Sequence, residues 1–293
     1  MKPSSRWTAY VLIGPAVAFF TFVVGLPLLG TIGLSLTSWS GTNRLKFIGL
    51  DNFVRAFGDE VYRGTYLHTF IYIAATLVLE VAVGFILAGL VSVKGRRSAW
   101  YRITFFIPVM LPMVVIAVLW SFIYNNDGGL LNSFLGAIGR DDLRHVWLGD
   151  PDTALLAVSV VSGWVYAGFY MAIFYAGLQR VPLHLLEAAE LDGASERDLF
   201  FRIKVPLLRG MTEVAALLCI TGAFSTFDLF YVMTNGGPDH ETEIITTYVV
   251  SSVFRDHEVG YGAAMSVIMT VVVIGIGLAY ARLRRSGGSA LEY

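Results

Sequence analysis

The stretch VPLHLLEAAELDGASERDLFFRIKVPLLRG, residues 181–210, sets a polar, helix-forming insert inside an otherwise oily chain. Pro182 suits the first turn of a helix and Gly193 its C-terminal end, so LHLLEAAELD reads as one short helix. Ser195 suits the N-cap of a second helix, with Glu196 and Asp198 in its first turn complementing the helix dipole. Pro206 is expected to end that second helix. Leu185, Ala188 and Ala189, with Leu191 nearby, form a narrow apolar face, and Glu187, Glu190 and Asp192 remain for polar contacts. A connector between helices ordinarily needs ~2–8 residues, whereas this one runs from 179 to 210 and carries ten charged residues. It reads either as a long solvated linker or as a rigid docking element for another protein.

The rest of the chain points to a bilayer. Hydrophobic residues make up 56 % of the 293, and charged residues only 15 %, where soluble domains average ~25 %. Mean hydropathy is +0.66. Six stretches, 10–36, 66–92, 103–124, 154–178, 211–232 and 262–281, are apolar enough to cross it, given the ~20 residues a spanning helix needs. The expected fold is an all-α polytopic membrane protein with six transmembrane helices: a tail 1–9, a membrane domain 10–281 and a tail 282–293. The first apolar run is longer than the ~7–15 residues of a signal-peptide core and has no small-residue cleavage pattern, so it reads as a retained span.

Basic residues set the orientation. Lys and Arg number two in the N-terminal tail, four in loop 93–102, five in loop 179–210 and three in the C-terminal tail, fourteen against seven in the alternate loops. Both termini and the 181–210 insert should therefore face the cytoplasm, with loops 37–65, 125–153 and 233–260 outside. No Lys or Arg falls inside the six stretches, but Glu80 and Asp228 do, and Glu213 lies near an end. Acids at membrane depth face a bundle interior or a watery cavity. Glu80 suits a hydrogen bond to a neighbouring helix better than a solute or proton role, and Asp228 fits both. The lone Cys219 permits no internal disulfide, the five histidines have no metal-ligand spacing, and no nucleic-acid motif appears.

EAAELDGASERDLFFRIKVPLL resembles the EAA motif of the permease subunits of binding-protein-dependent ABC importers, carried here by Glu187, Ala188, Ala189, Gly193, Ile203 and Pro206. The block YVMTNGGPDHETEIITTYVVSSVFRDHEVGYGAAMS and the loop FIGLDNFVRAFGD resemble the carbohydrate-uptake branch, including the larger maltose-permease subunit and the glycerol-phosphate permeases. The extra N-terminal spans and large outer domain of that larger subunit have no counterpart here, so their contacts are not carried over. The resemblance implies the type I importer permease fold with a cytoplasmic coupling helix, in a bacterial or archaeal cytoplasmic membrane. It implies a cytoplasmic ATPase dimer engaging Glu187, Ala188, Ala189, Asp192 and Gly193, a second homologous permease completing a heterodimer, and an extracytoplasmic solute-binding protein.

The chain has no Gly-rich phosphate loop ending in Lys-Ser/Thr, so ATP and magnesium are expected on the partner ATPase and no cofactor on this chain. A sugar site needs aromatic faces and hydroxyl-matching polar groups. The stretches GWVYAGFYMAIFY and TGAFSTFDLFY supply both, and the resemblance puts the pocket near Tyr166, Phe169, Gly222, Ala223 and Thr226. Tyr170 and Asp228 are added on chemistry alone, and the aromatics equally fit helix packing. Absence of intramembrane cations favours a neutral di- or oligosaccharide. An ATP-independent transporter or channel using Glu80 and Asp228 is the competing reading. An intramembrane enzyme is disfavoured, since no nucleophile–base or zinc constellation lies within the spans.

Overall fold

The computed structural model describes residues 6–92 and 98–287, with side chains described for 10–92 and 98–282. Lys2, Lys94, Arg96 and Arg97, on which part of the orientation argument rests, lie outside the described residues. Among those described, the regular structure is helical apart from one isolated bridge between Thr37 and Phe47.

Among the described residues four helices are continuous, apolar and long enough to cross a bilayer, beginning with Tyr10–Ser35 (α1) and Glu60–Ser92 (α2). The third expected span is two helices, Ser98–Met110 (α3) and Met113–Ile123 (α4), set at 96° to each other. The prolines predict a kink here, and the reason it becomes a break is local. Leu111 is extended because proline follows it, and Pro112 takes the N-cap of α4 with no N–H to offer. Arg102 lies within α3, earlier than the expected span edge, with its guanidinium 4.5 Å from the Tyr175 ring centroid.

Pro151–Leu178 (α5) is continuous. Asp150 caps it by accepting from the Asp152 N–H at 2.9 Å, and Pro151 occupies its first turn. The insert then forms Leu183–Leu191 (α6) and a second helix over 196–207 (α7). Pro206 does not end α7. The helix widens into a π turn over Leu199–Lys204, the Val205 N–H reaches back to the Phe200 carbonyl, and the break comes at Leu208. Widening before the proline spares the carbonyl that its ring would otherwise strike.

The fifth expected span, 211–232, is not continuous. Arg209–Ala223 (α8) stops, and Asp228–Met233 (α9) starts after an irregular segment in which Phe227 has φ −140° and ψ −57°. Hydroxyls supply the reason. Ser225 Oγ and Thr226 Oγ1 donate to the carbonyls of Thr221 and Gly222, and the Thr246 hydroxyl donates to the Thr226 carbonyl. Val259–Arg282 (α10) is the last continuous span.

Two compact units emerge, one made of the chain up to Arg63 and from Tyr248 onward, the other of residues 64–247. In the first, α1 and the helix Asp51–Gly58 pack on α10. Asn52, buried, donates to the Ser35 and Thr37 carbonyls at 2.9 and 2.8 Å. Asp59 ties the unit together, accepting from the hydroxyls of Tyr248 and Tyr261 at 2.8 and 2.7 Å and from the Tyr62 N–H at 3.1 Å. Arg55 lies over the Tyr261 ring, 4.1 Å from its centroid, and pairs with Glu258 at 2.8 Å.

Burial raises the cost of charge on Asp59, but the bonds from Tyr261, Tyr62 and Tyr248 outweigh it and hold the carboxyl below its ordinary value. Its stabilising contribution is therefore complete above the unfolded carboxyl's ~3.9 and is lost as pH falls through the lower folded value. Asp59→Asn should lower the thermal midpoint of the detergent-solubilised chain at neutral pH. The gap to wild type should narrow as pH falls below ~4. A gap that widens on acidification would show that the carboxylate is not the stabilising form.

In the second unit α2 and α5 pack through glycines. A Cβ on Gly163 would lie 2.6 Å from that of Leu79, and one on Gly84 would lie 2.6 Å from that of Tyr170. Small residues at such contacts let spanning helices approach where no hydrophobic force drives them together. Around this seam Val81, Ala88, Met171, Phe174 and Cys219 are buried, with Phe85 edge-on to Phe174 at 5.0 Å.

Candidate functional site

The sequence-predicted residues fall in two places. The insert is one. The α6 helix closes in a paired C-terminal turn in which the Gly193 N–H donates to the Glu190 carbonyl at 3.0 Å and the Ala194 N–H to the Ala189 carbonyl at 2.9 Å. This turn requires φ +84° at Gly193, a conformation costly for any residue with a Cβ. Ser195 then caps α7 reciprocally: its Oγ accepts from the Asp198 N–H at 3.2 Å, and Asp198 Oδ2 accepts from the Ser195 N–H at 3.3 Å. The Ser195 hydroxyl also donates to Asp198 Oδ2 at 2.6 Å, and this bond, with that from the Ser195 N–H, holds the Asp198 carboxyl below its ordinary value. Glu187, Ala188, Asp192 and Gly193 are exposed and Ala189 is half-buried. Two large apolar side chains stand out in the open, Leu183 at 67 % and Leu191 at 90 % exposure. A cleft of about 290 Å³ lies between the helices, lined by Asp192, Gly193, Ala194, Asp198, Arg202 and Ile203.

The second place is the break between α8 and α9. Gly222, Ser225 and Asp228 are exposed there, Thr226 is half-buried, and a Cβ on Gly222 would meet nothing within 4 Å. Asp228 opens α9, where its charge complements the dipole. On α5, Tyr166 and Phe169 are half-buried, and Tyr166 lies within electrostatic reach of Glu80 and Asp228. Ala223 and Tyr170 are buried, Tyr170 packing over Gly84 behind the open face. Irregular backbone at membrane depth is tolerated where protein buries it or where it lines a watery cavity; here Ala223 and Phe224 are buried while Ser225 and Asp228 are exposed.

Glu80 is buried and has partners on two other helices. Its Oε1 accepts from Ser162 Oγ of α5 at 2.7 Å, and Oε2 from Cys219 Sγ of α8 at 3.7 Å. Tyr72 Oη lies 2.8 Å from Ser162 Oγ and 3.5 Å from Thr226 Oγ1. The sequence leads one to expect the interhelical bond of Glu80 but not Tyr72, Ser162 or Thr76, whose Oγ1 lies 3.5 Å from Cys219 Sγ. A signal was present, because Thr65, Thr69, Tyr72, Thr76 and Glu80 follow helical spacing along one face of α2.

The block that resembles the carbohydrate-uptake branch contains Gly236, Gly237 and Pro238, which as a sequence read as a tight turn. Gly236 sits at φ +84°, and a Cβ there would overlap the Glu243 carboxyl. Glu243 is buried and contacts His240 Nδ1 at 3.1 Å, while His68 Nδ1 lies 3.0 Å from its backbone carbonyl. Two histidines scattered in sequence thus converge on one turn. Among the described residues no group of His, Cys, Asp and Glu is placed to hold a metal ion.

Comparison with known proteins bears on this architecture. A chain of a bacterial alginate ABC transporter, solved in complex with an alginate pentasaccharide-bound periplasmic protein, shares the fold at a TM-score of 0.85. It is 20 % identical, covering 97 % of this chain and 96 % of that one. A probable ABC transporter permease, YurN of Bacillus subtilis (strain 168), is 37 % identical over 290 residues, 98 % of this chain and 99 % of its own. The diacetylchitobiose uptake system permease NgcF of Streptomyces coelicolor is 32 % identical over 293 residues, 96 % of this chain and 83 % of its own. The family model for binding-protein-dependent transport system inner membrane components matches residues 80–286, which contain the insert, the break and the Gly-Gly-Pro block. The chain is therefore a membrane-embedded transport subunit rather than an enzyme, and it belongs to the family of binding-protein-dependent transport system inner membrane components.

Proposed function

We propose that this chain is the membrane subunit through which an ATP-driven importer moves a neutral di- or oligosaccharide into the cytoplasm by alternating access. The observation that carries this reading is the α6–α7 knuckle, whose joint is closed by the Gly193 turn and the Ser195–Asp198 capping box yet which exposes Leu183 and Leu191. A preformed element with exposed apolar groups fits a receiving cleft on another protein. That protein is a cytoplasmic ATPase dimer, which holds ATP and magnesium. Ala188 and Ala189 allow its close approach, Glu187 and Asp192 meet its basic groups, and Gly193 holds the knuckle angle. Both termini and the knuckle face the cytoplasm. A solute-binding protein delivers the sugar on the other side, and a second homologous permease completes the path.

The open turn between α8 and α9 gives the sugar its polar wall through Gly222, Thr226 and Asp228, with Tyr166 and Phe169 as aromatic faces and Ala223 and Tyr170 as the layer behind. The diacetylchitobiose relative supports this solute class. Asp228→Ala should raise the KM for uptake about tenfold with little change in maximal rate, since a hydrogen bond to a charged group is worth ~1.5–3 kcal/mol. Unchanged KM and rate would remove Asp228 from the path. The reading as a whole is tested by reconstituting the chain with its cognate ATPase, partner permease and binding protein. Uptake of labelled maltose, cellobiose, xylobiose and diacetylchitobiose is then followed. ATP-dependent uptake of one of them is expected, and uptake that persists without the ATPase overturns it.

A further inference from the structure

Turn bonds from the Ser225 and Thr226 N–H groups to the Gly222 and Ala223 carbonyls shape the break between α8 and α9, and a second helix braces it. Tyr72 of α2 grips it on two sides. Its ring packs edge-on against the buried Phe230, centroids 4.9 Å apart, just beyond the break. Its hydroxyl lies 3.5 Å from Thr226 Oγ1, inside the break. That hydroxyl is in turn fixed by Ser162 at 2.8 Å, and Ser162 by Glu80 at 2.7 Å. Glu80 sits in a π turn, Leu77–Ala82, which shifts the face of α2 at that point. Buried polar atoms in a low-dielectric interior are costly to leave unpaired, so such a chain of bonds fixes one arrangement of the helices it joins.

We propose that Glu80, Ser162 and Tyr72 are positioning residues that fix the break and thereby set the affinity of the transmembrane path for its solute, without touching that solute. Glu80 orients Ser162, Ser162 fixes the Tyr72 hydroxyl, and Tyr72, held there, braces the break at Phe230 on one side and beside Thr226 on the other. The effect on affinity rests on the importer reading, whereas the effect on the break does not.

The test uses Ser225→Cys as a reporter, since Ser225 is exposed in the break and Cys219 is buried. The full chain is kept in native membranes with its own partners, and the probe is a cationic methanethiosulfonate. Tyr72→Phe keeps the ring on Phe230 and removes only the hydroxyl. It should raise the modification rate about fivefold, the equivalent of one net hydrogen bond. Ser162→Ala and Glu80→Leu should do the same. Glu80→Gln should stay near wild type, because its amide oxygen still accepts from Ser162. Ser159→Ala is the control, as that buried hydroxyl bonds only the Leu155 carbonyl of its own helix, at 2.7 Å.

In the reconstituted importer, Tyr72→Phe should raise the KM for whichever of the four named sugars is carried, with maximal rate within about twofold. An unchanged labelling rate in Tyr72→Phe overturns the relay. So does an equal rise in Ser159→Ala, which would mean general loosening, or a Glu80→Gln variant that behaves like Glu80→Leu. If no sugar is carried in an ATP-dependent way, the importer reading fails while the labelling still decides the relay.

Discussion

Gly193→Pro is expected to abolish coupled uptake while the chain remains in the membrane at normal abundance. The glycine sits at φ +84° and its N–H is bonded to the Glu190 carbonyl. Proline fixes φ near −65° and has no N–H, so the turn that joins α6 to α7 cannot form. Among the described residues, a Cβ built at this position meets no atom within 4 Å. The damage is therefore confined to the direction in which α6 projects. Uptake and binding-protein-stimulated ATP hydrolysis should both fall at least about tenfold, the equivalent of ~1.4 kcal/mol of lost coupling. A graded series isolates the cause. Gly193→Ala must tolerate a left-handed backbone at ~1–2 kcal/mol and should be intermediate, while Gly193→Asn, which accepts that conformation more readily, should retain more activity. Normal coupled uptake in Gly193→Pro would remove the knuckle from the coupling path.

The knuckle is the most legible part of the molecule because its determinants are local. Pro182, Gly193, Ser195 and Asp198 each act within four residues of themselves; Gly193 and Ser195 stand where capping rules put them, while Pro182 falls one place earlier than the first helical position, at the N-cap of α6. Pro206 shows the limit of the same reasoning. A π turn upstream accommodates the proline, and nothing in the neighbouring residues announces that the helix will widen. The interrupted fifth span fails for a different reason. Ser225 and Thr226 signal competition for backbone carbonyls, but the hydroxyl that takes the Thr226 carbonyl comes from Thr246, twenty residues on. Only the folded chain brings it there.

The site shows the same division. Glu80 announces itself as a lone acid in an apolar run, but its partners Ser162 and Cys219 lie 82 and 139 residues away. The Asp59 clamp joins Tyr248 and Tyr261 across separations of 189 and 202 residues, and neither tyrosine is distinguishable in sequence from its neighbours. Composition makes Tyr170 a candidate for the sugar wall. Helical spacing instead turns it onto Gly84, while Tyr166 and Phe169 stay partly open. Residue type marks which side chains suit a sugar, but rotation about the α5 axis decides which of them stay partly open.

Gly168→Ala should be the most damaging single-methyl change in the membrane domain. Glycine costs an α-helix ~1 kcal/mol relative to alanine, so an unconstrained Gly→Ala exchange in a span stabilises. Gly275 in α10 meets that description, since a Cβ there would touch nothing within 4 Å, and Gly275→Ala should leave the thermal midpoint unchanged or slightly raised. At Gly168 the sign reverses. A Cβ would overlap the Phe105 carbonyl oxygen, with the Phe106 nitrogen 3.1 Å away. These are backbone atoms of α3 that no rotamer change can withdraw. The α3 helix can yield only by moving as a body, and it carries the 96° junction to α4. Overpacking costs ~1–3 kcal/mol even against movable side chains, so a fall of about 5–10 °C in the midpoint of the detergent-solubilised chain is expected. A midpoint at or above wild type would mean that α3 slides freely over α5. The right-angled third span would then be a loosely held arm rather than a fixed wall of the bundle.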